Sequence, residues 1–333
     1  MTDAPHPTRF DLVSLGESML RLSVPVGRRL DDARGLELEA GGAEGNVCVA
    51  LARLGWRVGW VGRLPDHALG SLIVRLLRAD GVDVDAVVRV RDERMGTYFI
   101  EYAATPRPIQ VIYDRADSAA AHMTVDDVDW DYLLNTRILH LTGITAAISD
   151  NCYEIIAEAV RRAKAAGVLL SFDVNYRAKL WDAATAGAKL RPLIAEADLL
   201  LCKGADAALL FGCNGEPREQ MQALKALTRA PALYCTFGAN GAALLLDDDF
   251  IQQPALPVQI VDRIGSGDAF AAGVLDGWLL GAGEPDFRAV MRDGLKRGVA
   301  LAAIALSQYG DRILTSRAEL NSVMSAERRD VIR

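Results

Sequence analysis

The chain has 333 residues, of which 51% are hydrophobic and 24% charged, with a formal net charge of -7. That size and apolar content suit one large α/β domain spanning 1–333, and the acidic balance argues against a nucleic acid or an anionic membrane surface as the main partner. Five scattered cysteines without a CxxC, four histidines without metal-site spacing, and a longest apolar run of only residues 299–306 exclude a disulfide framework, a zinc site and a bilayer span.

The opening MTDAPHPTRF has no apolar leader segment, so the sequence reads as cytoplasmic with reduced thiols. DLVSLG (11–16) predicts a short buried strand ending at a glycine, and GWVG (59–62) predicts another. Between them, GGAEGNVCVALARLG (41–55) carries Val47, Ala50, Leu51 and Leu54 at helical spacing, with Gly55 as a stop. Asp66 opens a second helix that ends at Gly81. RILHLTG (137–143) predicts a strand, and 150–167 a helix with Asp150 as its N-cap and Gly167 as its C-cap. Further strands are expected at 168–174, 197–202, 232–238 and 243–247, giving a mostly parallel sheet covered on both faces. Residues 18–40 and 94–115 break the helical pattern. The second is β-branched and aromatic with a proline turn at 106–108, so it reads as a hairpin. Together these two stretches predict a small β element, a candidate lid.

DRIGSGDAFAAG (262–273) follows an extended segment and opens an apolar helix. Gly265, Ser266 and Gly267 therefore fall at a helix N-terminus, where unpaired N–H groups and the helix dipole favour an anion such as phosphate. Asp268 fits either a dipole-favoured first-turn acid or a general base beside a phosphate cradle. No GxxxxGK[ST] or GxGxxG accompanies it, which disfavours a P-loop or a dinucleotide fold.

Elsewhere, Gly41 and Gly42 fit a turn before a core helix, or a backbone lying against a substrate whose hydroxyls Asn46 would bind. SFDVNYRAKLW (171–181) puts Asp173, Asn175 and Arg177 just past a strand's carboxyl end, where ligands bind in open α/β sheets. Arg177 fits a surface loop or a carboxylate clamp. Tyr98, Tyr113 and Arg115 alternate along the hairpin, as either a solvated face or the cover of a pocket. Thr236, Gly238, Ala239 and Gly241 lie in a strand–turn–strand that fits a plain turn or a wall for adenine or ribose.

The two glycine motifs, their order and their wide separation resemble the ribokinase-like (PfkB) family of sugar kinases over nearly the whole chain, from FDLVSLGE to YGD near 310. The resemblance implies a three-layer α/β/α domain with a mostly parallel central sheet and a β-sheet lid. It implies Mg2+ and ATP bound along 238–241 and against Gly265–Gly267, with Asp268 as base and a homodimer formed through the lid. GGAE, HLTGIT and DVNYR before LW are most similar to 2-keto-3-deoxygluconate kinases. That implies phosphorylation of a sugar acid at its terminal hydroxyl, with Gly41 and Gly42 at the substrate, Tyr98, Tyr113 and Arg115 covering it, and Arg177 on its carboxylate. The resemblance also implies a monovalent cation, K+, near Asp262. Arg21 stands where neutral-sugar members carry an Asp, and a surface place for it is as well supported as a ligand contact. Lys203 and Asp206 replace the family's Asn-x-x-Glu, which leaves Asp206 to handle metal and nucleotide and Asn175 beside it. A kinase for fructose or a nucleoside, and a weakly catalytic sugar-acid or nucleotide sensor, remain the alternatives.

Overall fold

Short apolar runs become strands wherever a glycine or polar turn cuts them before a helix can nucleate, and the amphipathic runs between them become helices. The computed structural model describes residues 8–103 and 106–325. The opening MTDAPHP, two residues beside the proline turn and the polar tail after Ser325 lie outside the described residues.

The chain starts with β1 (Phe10–Leu15), crosses to β2 (Met19–Ser23) and β3 (Glu37–Gly41), and enters α1 (Ala43–Arg53). It continues through β4 (Val58–Val61), β5 (Arg63–Pro65), α2 (Ala68–Ala79) and β6 (Val88–Val90) into the hairpin β7 (Thr97–Glu101) and β8 (Gln110–Asp114). Next come α3 (Trp130–Leu134), β9 (Thr136–Thr142), α4 (Gly143–Ala146), α5 (Asp150–Ala166), β10 (Leu169–Asp173) and α6 (Ala183–Ala195). β11 (Leu199–Lys203), α7 (Gly204–Phe211), α8 (Pro217–Lys225), β12 (Ala232–Thr236), β13 (Ala242–Leu246) and β14 (Asp249–Gln253) follow. The described chain closes with α9 (Ser266–Leu280), α10 (Phe287–Leu306) and α11 (Arg317–Met324).

Eight strands form the main sheet in the order β14-β13-β12-β11-β10-β9-β1-β4. The six strands from β12 to β4 are parallel, while β13 and β14 turn back antiparallel at one edge. β14 is an edge strand that the apolar pattern does not reveal, because its sequence DFIQQ lacks a continuous apolar run. Alternation places Leu199 and Leu201 in one core layer, with α1, α9 and α10, and Leu200 and Cys202 in the other, with α5 to α8. All five cysteines are buried and unpaired, as expected of reduced core thiols. No helix of the described residues is long and apolar enough to cross a membrane.

A separate four-stranded sheet, β3-β2-β7-β8, takes its strands from the two stretches that lack helical periodicity. Two helix starts differ from expectation. His67, not Asp66, caps α2, its Nδ1 accepting from the Leu69 N–H at 3.2 Å. Ser149, not Asp150, caps α5, its hydroxyl accepting from Cys152 N–H at 3.2 Å. Ser149 and Asp150 are equally good caps that pattern alone does not separate, whereas at α2 a histidine caps although Asp66 is the better local candidate. Gly167 ends α5 in the left-handed conformation (φ 68°), as expected.

The small residues along α9 have a packing role. A Cβ on Gly273 would lie 2.5 Å from the Arg297 carbonyl oxygen, and one on Gly277 2.5 Å from the Gly294 Cα of α10. The two backbones are therefore in near contact, which fixes where the N-terminus of α9 points. In an exposed helix Gly→Ala gains up to about 1 kcal/mol. Gly277→Ala should instead destabilise the protein by about 1–3 kcal/mol, because the methyl group meets backbone that cannot turn aside. Urea unfolding reads the sign; a gain would contradict the close helix contact.

Candidate active site

In a parallel sheet the polar carboxyl ends of the strands gather on one side, and here they do so below the small sheet. A cavity of about 1090 Å³ lies there, lined by Glu17 after β1, Asp173 ending β10 with Asn175 and Arg177 after it, Lys203 ending β11, and Thr236 ending β12. From the small sheet Met19, Tyr98 and Tyr113 line it, followed by Arg115 after β8. The first turn of α9 completes the wall.

That turn is built by its glycines. Gly265 adopts φ 80°, and a Cβ there would lie 2.7 Å from the Asp311 carbonyl oxygen. The first helical bond runs from Ala269 N–H to Gly265 C=O at 2.9 Å, so the N–H groups of Ser266, Gly267 and Asp268 precede the ladder. A Cβ on Gly267 would meet nothing within 4 Å. Gly267 is thus not needed for packing, and the room it leaves belongs to the cavity. Ser266 donates its hydroxyl to the Arg263 carbonyl at 3.1 Å, which ties the turn together.

Asp268 faces the same cavity and is buried. Burial pushes its carboxyl up to about 6; the hydrogen bond from Asn46 and the charges of Arg177 and Lys203 act against that rise, while Asp311 adds to it. Asn46 Nδ2 donates to Asp268 Oδ2 at 2.8 Å. The side chain expected to hold substrate hydroxyls lines the cavity and also orients the carboxylate, since α1 packs against α9.

Two acids to which sequence reasoning assigned no role share the cavity. Burial raises Asp173 to about 7, helped by the charge of Asp268. Burial also raises Glu44 to about 7, although the Thr142 and Thr145 hydroxyls both donate to its Oε1. The polar DVN and GGAE stretches carried these residues in view, but only the fold turns both carboxyls inward. Asn175 follows Asp173 with a positive φ of 38°, a strained value for a non-glycine residue of the kind that clusters at functional sites. Its N–H donates to Asp173 Oδ1 at 3.1 Å.

Arg177 lines the cavity half-buried. Its guanidinium donates to the Tyr176 carbonyl at 3.0 Å, and among the described residues no carboxylate pairs with it. Arg115 differs. Its guanidinium pairs with Glu17, which also accepts from the Ser118 hydroxyl at 2.8 Å. The two arginines expected to meet one anion are therefore unequal, since the charge of Arg115 is already compensated.

Tyr98 and Tyr113 stack with ring centroids 5.6 Å apart, and the Tyr98 hydroxyl donates to Asp311. A Cβ on Gly41 would lie 1.8 Å from that hydroxyl, and one on Gly42 2.2 Å from the Glu17 carbonyl oxygen. The glycine pair is thus required by protein packing, and only Gly42 belongs to the cavity lining. Asp206 lies in the first turn of α7, outside that lining, with a buried oxygen that finds no partner among the described residues. Thr236, Gly238, Ala239 and Gly241 line the cavity together with Leu256, Val258, Val299 and Ala302, an apolar slot beside polar turn backbone. Gly238 and Gly241 take positive φ (59° and 86°), and a Cβ on Gly241 would strike the Gln253 carbonyl.

Two expectations about charge are corrected. Arg21 is neither at the surface nor at the cavity: it is 1% exposed and bound to Asp262 and Asp311. Asp262 does not suit K+, because protein donors occupy its carboxylate. Oδ2 accepts from Arg21 at 3.1 Å and the Tyr102 hydroxyl at 2.7 Å, and Oδ1 from Ile264 N–H at 3.0 Å. For Mg2+ the donor chemistry fits better. Asp173 and Asn175 offer oxygens on the cavity wall, although no group of three or more ligating side chains gathers among the described residues. That suits an ion carried mainly by phosphates and water.

The model of the pfkB family carbohydrate kinases matches residues 9–317. Over 315 residues, covering 94% of this chain and 96% of the relative, the chain is 35% identical to the 2-dehydro-3-deoxygalactonokinase of Haloferax volcanii. It is 31% identical to the 2-dehydro-3-deoxygluconokinase of Bacillus subtilis, covering 96% and 97% of the two chains. Among solved structures, the 2-dehydro-3-deoxygluconokinase of Thermotoga maritima superposes with a TM-score of 0.88 at 28% identity, over 95% of this chain and 99% of that one.

The buried acids carry a stability signature. Glu44 and Asp173 titrate near 7 in the fold, above the ordinary range of a carboxyl, so the folded protein holds protons that the unfolded chain releases. Stability is then lost as pH rises toward 7. His140, buried and lowered to about 4, acts oppositely, but only below its ordinary value near 6.5. Melting temperature without ligand should therefore fall between about pH 6.5 and 8, and Asp173→Asn should flatten the slope. A slope that stays equally steep in the variant would assign the effect elsewhere.

Proposed function

The chain belongs to the pfkB family of carbohydrate kinases, and from that premise we propose that it transfers the terminal phosphoryl group of ATP to the terminal hydroxyl of a 2-keto-3-deoxy sugar acid. The observation that carries the reading is that one cavity holds Asp268, at the open first turn of α9, and the guanidinium of Arg177, which forms no ion pair with a carboxylate among the described residues. The names of the relatives, which include both the gluco and the galacto forms, support the substrate class.

In this reading Asp268 takes the proton of the attacking hydroxyl. Asn46 holds the carboxylate in line, leaving its second oxygen for the substrate. The N–H groups of Ser266, Gly267 and Asp268 receive the charge that grows on the transferred phosphoryl oxygens, and Gly267 lets that group come close to the backbone. Arg177 clamps the substrate carboxylate through its planar fork. Thr236 and the turn at 238–241, with the apolar slot behind them, accommodate the nucleotide. Mg2+, when bound, neutralises charge across the β- and γ-phosphates, and Asp173 and Asn175 are the residues that would hold it or its waters. The small sheet covers the site, with Tyr98 and Tyr113 shielding the acceptor from water.

A neutral sugar would give Arg177 no direct ion-pair partner, only the through-space charges of Asp173, Asp206 and Asp268, which disfavours fructose or a nucleoside. A coupled ADP-release assay across sugar acids and neutral sugars decides between them, and turnover of neutral sugars alone would overturn the reading.

Asp268→Asn keeps the hydrogen bond from Asn46 but cannot accept a proton. kcat should fall by about 10²–10⁴-fold with nucleotide affinity retained. In the native enzyme kcat/KM should drop below about pH 6 with unit slope, because protonated Asp268 is not a base. Turnover by the variant within a few-fold of native would remove Asp268 from the chemistry. Arg177→Ala should raise KM for the sugar acid by about 10–100-fold, the worth of one charge-assisted hydrogen-bond pair. An equal loss on a neutral acceptor would argue against a carboxylate contact.

A further inference from the structure

Arg21 lies on β2, a central strand of the small sheet, yet its side chain is almost wholly buried and reaches out of that sheet. Its Nη1 meets Asp311 Oδ1, its Nη2 meets Asp262 Oδ2 at 3.1 Å, and its Nε is 3.8 Å from Glu39. Asp262 and Asp311 are not arbitrary anchors. Asp262 begins the DRIGSGD turn and accepts from the Ile264 N–H within it. The Asp311 carbonyl packs against Gly265, so close that a Cβ would lie 2.7 Å away. Asp262 through its carboxylate and Asp311 through its backbone thus both touch the phosphate-binding turn. Tyr98 and Tyr102, from the same small sheet, donate to Asp311 and Asp262 respectively.

Two buried carboxylates this close to one another require a positive charge between them. The chain supplies it covalently. We propose that Arg21 is a tethered internal cation that positions the Gly265–Asp268 turn and couples it to the small sheet, and that the turn needs no exchangeable monovalent cation at Asp262. Donors already point at both oxygens of Asp262, and an ion bound there would have to displace the guanidinium. Arg21 does not line the cavity, so it is a positioning residue and touches neither reactant. Loss of its charge should move the N–H groups that face the phosphoryl group, and with them kcat, while substrate affinities change little.

The test compares wild type, Arg21→Lys and Arg21→Met in chloride salts of tetramethylammonium, sodium and potassium at one ionic strength. Two readouts are taken: melting temperature without ligand, and kcat and KM for the preferred sugar acid. Only the kinetic readout rests on the phosphotransfer reading; absent turnover on every acceptor would count against that reading and leave the melting series to decide this one. Wild type should melt alike in the three salts and vary less than about twofold in kcat, since its cation is built in. Arg21→Met should lose more than about tenfold in kcat with KM within about threefold. Potassium or millimolar guanidinium should restore part of both melting temperature and rate by filling the vacated charge site. Arg21→Lys should fall between the two. Potassium raising the wild-type rate or melting temperature several-fold more than tetramethylammonium would overturn the proposal, as would an Arg21→Met enzyme with native kcat in every salt. If Arg21→Met does not fold in any salt, the wild-type series decides alone.

Discussion

Asp268 sits out of water in the first turn of α9, where the dipole and the unpaired N–H groups favour negative charge but burial opposes it. The balance leaves its carboxyl near 6 rather than near 4. Such a group is ionised at neutral pH yet basic enough to take a proton from an alcohol in the transition state. Much of the neighbouring structure maintains that balance. Asn46 supplies one hydrogen bond and no charge, so it orients the carboxylate without quenching it. Arg177 and Lys203 act through space and restrain the rise.

The position of that turn is set by elements far from it in sequence. α9 runs against α10 backbone to backbone at Gly277 and Gly294, a contact that larger side chains would hold apart. Asp311, more than forty residues downstream, presses its carbonyl on Gly265 and binds Tyr98 and Arg21 of the small sheet. Helix packing and a buried charge cluster therefore aim one set of N–H groups from two directions. The cavity they face is roomy because the strand ends around it carry small or polar residues in place of core side chains.

Several residues present one chemistry in sequence and another in space. Arg115 reads as a second cation for an anionic substrate, but Glu17 reaches it across the cavity wall from the end of β1. Gly41 reads as a ligand-facing backbone, but it lies off the cavity and the atom its missing methyl group would strike is the Tyr98 hydroxyl, while Gly42, packed on the Glu17 carbonyl, does line the cavity. Asp262 reads as a cation ligand until Arg21 is seen to fill the place. In each instance the partner lies tens to hundreds of positions away, and no local pattern reports it. Glu44 and Asp173 drew no role from the sequence for the same reason: a polar residue near a strand end is ordinary until its burial is known.

What the sequence by itself determined was the periodic content: parallel strands from apolar runs cut by glycine, helices from 3.6-residue spacing, an irregular β insertion, and a glycine turn with an aspartate at a helix start. Those follow from local sterics, hydrogen bonding and the alternation of apolar side chains, which act over a few residues. Only the tertiary structure decided which charges stay free. Pairing, desolvation and backbone contact depend on groups brought together by folding, and they alone leave Arg177 open, close Arg115 and Asp262, and hold Asp268 poised.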